Sequence, residues 1–84
     1  MENQIELEIY YFASLREKAN THKEKKRFPD GTSLEKIYQV LSKEYSFNLD
    51  EEQIQYALNA EYVSKEKTPK QGDVVAFIPP VSGG

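Results

Sequence analysis

With 84 residues and a net charge of -3 from 11 basic and 14 acidic side chains, the chain has the size of one domain and lacks the basic excess of a nucleic-acid binder. It contains no cysteine, which excludes disulfides, thiol nucleophiles and cysteine metal sites. A chain this short buries roughly 60–65% of its unfolded surface, so chemistry is expected at the surface, at a terminus or at a shared interface rather than in a deep pocket.

The start, Met1-Glu2-Asn3-Gln4, has neither the basic opening nor the apolar run of a signal peptide, and no stretch approaches the roughly 20 apolar residues of a bilayer span. A cytoplasmic protein without a membrane partner is expected. From Ile5 the chain alternates: Ile5, Leu7, Ile9 and Tyr11 share one face, and Glu6, Glu8, Tyr10 and Phe12 the other. That is a half-buried strand over 5–12, with two aromatics on the face that should be polar. Ser14, three residues before Glu17, has capping-box spacing and predicts a short helix to Ala19. Composition alone would make the charged segment His22 to Phe28 a loop; only its position before the turn Pro29-Asp30-Gly31 suggests an edge strand, where lysines discourage unwanted pairing.

Thr32, with Glu35, predicts the cap of the main helix, from about Ser33 to Glu44. Leu34, Ile37, Tyr38, Leu41 and Tyr45 fall on its apolar face, and Glu35, Lys36, Gln39 and Lys43 face away. Beyond a polar connection over 48–52, Ile54, Tyr56 and Leu58 alternate as a short strand. Asn59-Ala60-Glu61 reads as a turn into Tyr62-Val63, and the segment holding Pro69 and Gln71-Gly72-Asp73 as loop and turn. Val74 to Ile78 is the last strand, ended by Pro79-Pro80, which have no N–H to donate. The pattern predicts a single two-layer α+β domain over 1–84. It becomes a β-grasp if the last strand lies beside the first, giving a mixed sheet of four to five strands with one main helix on one face and a flexible tail over 79–84.

Few residues invite chemistry. His22 has no second ligand in view, so no metal site is expected. Ser14 and Thr32 lack an adjacent base, Gly31 and Gly72 are isolated turn residues, and the run Lys23 to Arg27 reads as a solvated edge able to guide an acidic partner. The tail Pro79-Pro80-Val81-Ser82-Gly83-Gly84 is different. Paired prolines stiffen its exit from the sheet. The four residues beyond them span roughly 13–14 Å when extended, and two glycines pass where a Cβ would not. The tail is suited to threading into a partner's active site, where the Gly84 carboxylate becomes an acyl donor once its oxygen is turned into a leaving group.

The Tyr11-Phe12-Ala13 strand end, Leu15-Arg16-Glu17, Gly72-Asp73-Val74-Val75-Ala76-Phe77 and the closing Phe77-Ile78-Pro79-Pro80-Val81-Ser82-Gly83-Gly84 resemble the small subunits of molybdopterin synthases, ubiquitin-like sulfur carriers of molybdenum-cofactor biosynthesis. The resemblance spans nearly the whole chain. It implies a β-grasp fold and a cycle in which a ubiquitin-activating-type adenylyltransferase uses ATP to link AMP transiently to Gly84. A sulfur donor enzyme then forms a thiocarboxylate, and the large synthase subunit, in a heterotetramer, receives the tail for sulfur transfer to cyclic pyranopterin monophosphate. No stably bound cofactor is implied. Phe12, Tyr62 and Ile78 are expected to form an apolar docking patch beside the tail, and Arg16 to pair either with a partner's acidic residue or within the domain. Asn20 stands where the family often has glycine, and Tyr62 where it commonly has an aliphatic residue. A sulfur carrier of another pathway such as thiamine synthesis, a ubiquitin-like modifier joined to lysines, and a binding module with an inert tail are the competing readings.

Overall fold

The computed structural model describes residues 3–80. Strand β1 (Gln4–Tyr11), helix α1 (Ala13–Ala19), strand β2 (Lys23–Pro29), helix α2 (Leu34–Tyr45), a single 3-10 turn (Glu51–Gln53) and strands β3 (Gln55–Leu58), β4 (Glu61–Val63) and β5 (Val74–Ile78) follow in chain order. The strands form one sheet in the order β2-β1-β5-β3-β4. β1 and β5 run parallel at its centre, and every other neighbour is antiparallel. A parallel pair needs a long crossover rather than a tight turn; here that crossover carries α2, whose apolar stripe covers the inner sheet face. The architecture is a β-grasp.

Alternation decides which face of the sheet is covered. Ile5, Leu7, Ile9 and Tyr11 of β1 are buried, as are Tyr56, Leu58, Val75 and Phe77, and they meet Leu34, Ile37, Tyr38 and Leu41 of α2 in one core. Each of these large side chains contributes about 1.5–3 kcal/mol when removed from water. The core is rich in tyrosine, and its hydroxyls are all satisfied. Tyr38 donates to the Leu49 carbonyl and Tyr56 to the Glu51 carbonyl, while Tyr11 and Tyr45 both donate to Glu24 Oε2. Among the described residues no buried side-chain polar atom lacks a partner.

Both expected helix caps differ from the observed ones. Ser33, not Thr32, caps α2 by accepting the Lys36 N–H at 3.2 Å, while the Thr32 hydroxyl donates to the Pro29 carbonyl at 2.6 Å and closes the preceding turn. With Ser33 as the cap, Glu35 is the second helical residue rather than the third and completes no box; its N–H donates to the Lys65 carbonyl at 2.9 Å and its carboxylate meets Lys65 Nζ at 3.0 Å. In α1, Ser14 caps nothing. The helix starts at Ala13 with Phe12 in the cap position and no side-chain cap, and the chain turns through a left-handed Ala13 at φ 52°. The polar connection before β3 contains the 3-10 turn, closed by reciprocal bonds between Asp50 and Gln53. Pro69, read from the sequence as a loop residue, is fully buried.

Candidate functional site

The sheet face away from α2 is open, and register places its residues in rows. Lys23 pairs with Tyr10, Tyr10 with Ala76, Ala76 with Ala57, and Ala57 with Tyr62, a line crossing all five strands. The next row toward the tail holds Ile78 opposite Gln55, with Phe12 one step beyond the Tyr11–Phe77 pair. Ala57 is buried yet lies outside the core cluster, because its own neighbours on this open face cover it. The result is an apolar saddle, low at the two alanines and raised at its aromatic rims. Phe12 is 45% exposed and Tyr62 73%.

Two strained turns create the rims. At one side Ala13 turns the chain sharply at the end of β1, so Phe12 stays on the open face instead of following the helix inward. At the other, Asn59 and Ala60 both have positive φ (51° and 71°), the turn type whose twist suits a two-residue hairpin. The Asn59 side chain accepts the Val74 N–H at 2.9 Å and donates to Asp73 Oδ1 at 3.1 Å, tying the hairpin to the start of β5. That hairpin sets the register that puts Tyr62 on the same face as Ile78.

The structure thus brings Phe12 and Ile78 together, with Tyr62 about 10 Å away across two strand spacings. Arg16 is exposed on α1, a helix anchored by buried Leu15 and packed against β1 and β5. Among the described residues Arg16 makes no salt bridge. Beyond Ile78, Pro79 is still buried and Pro80 is exposed. The tail residues Val81, Ser82, Gly83 and Gly84 lie outside the described residues. The two alanines that floor the saddle were missed as site residues; the signal was their in-register spacing with Tyr10 and Ile78, which only strand pairing makes readable.

Other parts of the surface offer little chemistry. A cleft of about 380 Å³ beside Tyr62 is lined by Glu51, Glu52, Ser64 and Lys65 among others. Its lysine is engaged by Glu35, Glu52 and Glu66 at 3.0–3.3 Å, which raises the Lys65 pKa and lowers that of Glu66. One ammonium thus serves three carboxylates, which leaves the cleft with a net negative charge. His22 is exposed, and no cluster of metal-ligating side chains occurs among the described residues. Nor does any helix among them have the length and apolarity to cross a membrane.

The ThiS family model matches residues 9–84. The chain belongs to the ThiS family. The ThiS-family chain is 32% identical over 83 residues to the molybdopterin synthase sulfur carrier subunit of Chlamydomonas reinhardtii, covering 95% of this chain and 100% of that one. Among solved structures it is similar to a candidate molybdopterin converting factor subunit 1 from Pyrococcus furiosus, with TM-score 0.75, 28% identity, and 92% and 99% of the two chains covered. It is also similar to a chain in the complex of subunits 1 and 2 of the Helicobacter pylori molybdopterin-converting factor, with TM-score 0.62, 25% identity, and coverage of 95% and 100%. The resemblance of this ThiS-family chain to molybdopterin synthase small subunits, read from its sequence, is borne out, as is its ubiquitin-like β-grasp fold.

Proposed function

We propose that this chain is the sulfur carrier subunit of a molybdopterin synthase, working in the cytoplasm through Gly84. The Gly84 carboxylate attacks the α-phosphorus of ATP on a ubiquitin-activating-type enzyme, releasing pyrophosphate and leaving an acyl-adenylate. Sulfide from a donor enzyme then displaces AMP, and one carboxylate oxygen leaves with it, so the chain ends in a thiocarboxylate. The large subunit takes the tail, and its cyclic pyranopterin monophosphate receives the sulfur on the way to the dithiolene. The chain contributes the reacting group, while acid, base and phosphate-binding groups come from its partners.

The observation that carries this reading is the apolar saddle on the open sheet face, which runs up to Ile78, the last strand residue before Pro79-Pro80-Val81-Ser82-Gly83-Gly84. A docking surface immediately beside the tail is what handing a terminal group to a partner's active site requires. The Helicobacter pylori neighbour, a complex of two converting-factor subunits, supports a large-subunit partner. On docking, Phe12, Ile78 and Tyr62 would fill apolar depressions of that partner and Arg16 would meet one of its carboxylates.

Intact mass after incubation with ATP, an adenylating enzyme and sulfide tests the chemistry. The expected gain equals replacement of one oxygen by sulfur, and it is absent when Gly84 is deleted. An unchanged mass with a demonstrably active enzyme refutes the carrier reading. Gly84 found joined to target lysines, with no thiocarboxylate formed, would make the chain a modifier instead.

A further inference from the structure

The two edges of the sheet differ in kind. β4 offers three residues, whereas β2 offers seven, Lys23–Pro29. Tyr11 N–H donates to the His22 carbonyl at 3.0 Å. In an antiparallel ladder the bonded pairs alternate, so His22, Glu24, Lys26 and Phe28 direct their backbone groups to β1. Lys23, Lys25 and Arg27 direct theirs to the free edge. The Lys23 carbonyl accepts the Thr21 hydroxyl at 2.9 Å; the remaining outward groups of Lys23, Lys25 and Arg27 have no protein partner among the described residues.

Charge divides along the same alternation. The inward-facing charges of β2 are engaged within the domain: the Glu24 carboxylate accepts two tyrosine hydroxyls, and Lys26 is bound by both oxygens of Glu44 at 2.9 and 2.8 Å. The exposed Lys23, Lys25 and Arg27 make no salt bridge among the described residues, although Lys25 stands opposite Glu8 and Arg27 opposite Glu6. Lys23 rests over the Tyr10 ring, its nitrogen 5.8 Å from the centroid. The residues whose backbone faces the free edge are therefore the same three whose cations lack an ion-pair partner among the described residues, with Lys23 partly engaged by Thr21 and the Tyr10 ring.

We infer that β2 is a strand-addition site for an extended segment of a partner protein carrying acidic residues at every second position. Main-chain bonds to Lys23, Lys25 and Arg27 would supply affinity, and alternate carboxylates beside their side chains would supply selectivity. Five residues, Lys23 to Arg27, present an edge of roughly 16 Å. A second copy of this chain is rejected by the same charges, since antiparallel pairing of two β2 edges sets cation against cation. The added strand would lie about 14 Å from β5, three strand spacings away. Ile78 and Tyr62 would stay uncovered, so an acidic segment could hold the carrier while the tail and its docking face are in use.

The probe is a blocked heptapeptide alternating valine or threonine with glutamate, titrated into the isotope-labelled full chain and followed by amide NMR. Shifts confined to 22–28, with slowed exchange at the Lys25 and Arg27 amides, are expected. So is a Kd that weakens at least tenfold as salt rises from about 50 to about 300 mM, and at least tenfold again in the exposed-residue variant Lys25→Gln/Arg27→Gln. Several results would overturn the inference. They are no shifts at millimolar peptide, shifts centred on Phe12 and Tyr62, a glutamine-for-glutamate peptide binding equally well, or a ten-residue oligothymidine reproducing the same shifts as tightly. The last would reduce the edge to a patch for any polyanion.

Discussion

Glu24 offers a decisive test of how the end of β1 is held. One oxygen of its carboxylate accepts the hydroxyls of Tyr11 at 2.6 Å and Tyr45 at 2.5 Å, joining β1, β2 and the last turn of α2. Tyr11 is only 2% exposed, so Glu24→Ala leaves its hydroxyl buried without a partner, at about 1–3 kcal/mol. Tyr45 is half-buried and water can replace its acceptor in part, adding about 0.5–1.5 kcal/mol. The expected loss is roughly 2–4 kcal/mol, a large share of the 4–13 kcal/mol typical of a domain this size. Urea denaturation measures it, and the melting temperature should fall on the order of 10–20 °C. Glu24→Gln keeps a carbonyl acceptor and should lose under about 1 kcal/mol relative to the parent. The discriminating variant is Glu24→Ala/Tyr11→Phe, in which the orphaned donor is gone. The two losses should then fall short of additivity by at least about 1 kcal/mol. Additivity within about 0.3 kcal/mol would refute the clamp and mean that water already satisfies Tyr11.

The remaining expectations concern docking, pH and turn strain. Tyr62→Ala should leave stability within about 0.5 kcal/mol yet weaken binding to a large subunit roughly 5–30-fold, measured by calorimetry; unchanged affinity would remove Tyr62 from the docking face. Burial pushes the Tyr38 phenol from its ordinary 10.0 up to about 12, and raises Tyr11, Tyr45 and Tyr56 still further, with Glu24 adding to the effect at Tyr11 and Tyr45. A raised folded-state value means the native state holds these protons more tightly, so their contribution is complete below pH 10 and is lost as pH climbs through 10 to 12 and beyond. Urea midpoints should be flat from pH 7 to 9 and fall steeply above 10, less so in Tyr11→Phe. Ala60 sits at φ 71° in an exposed turn, where glycine removes about 1–2 kcal/mol of strain against roughly 0.5–1 kcal/mol of extra chain entropy. Ala60→Gly should therefore raise the melting temperature by about 2–6 °C.

Much of the fold was legible because its signals are local. A strict period of two in Ile5 to Tyr11 and Val74 to Ile78, and a period near 3.6 in Leu34 to Leu41, each name a buried face from neighbouring residues alone. Tyr10 and Phe12 were conspicuous for the same reason, since they broke the polar side of an alternating strand. The start of the main helix was misread where a side chain had competing partners. Thr32 and Ser33 both suit a cap, but the Thr32 hydroxyl is used by the Pro29 turn and the Glu35 N–H it would cap donates to the carbonyl of Lys65, thirty residues away. Asp50 and Gln53 had capping-box spacing too, but in a stretch too short and polar to declare a helix.

The candidate site divides in the same way. The sequence by itself supplied the stretch on which the proposed function rests: that two prolines precede Val81-Ser82-Gly83-Gly84 is a matter of covalent structure and needs no fold to be read. It also determined which residues on each strand share a face, because that follows from the pleat. Tertiary structure alone decided which strands became neighbours. Only the parallel pairing of β1 with β5 sets Tyr10 beside Ala76 and Phe12 near Ile78, and only the strained Asn59-Ala60 hairpin turns Tyr62 onto the same surface. The charged run Lys23 to Arg27 likewise read as one solvated segment. Pairing with β1 on one side split it into three outward cations with a free backbone and two inward charges already spent within the domain. Contacts between residues far apart in the chain depend on closing long loops against chain entropy, and nothing in the local sequence records which closures win.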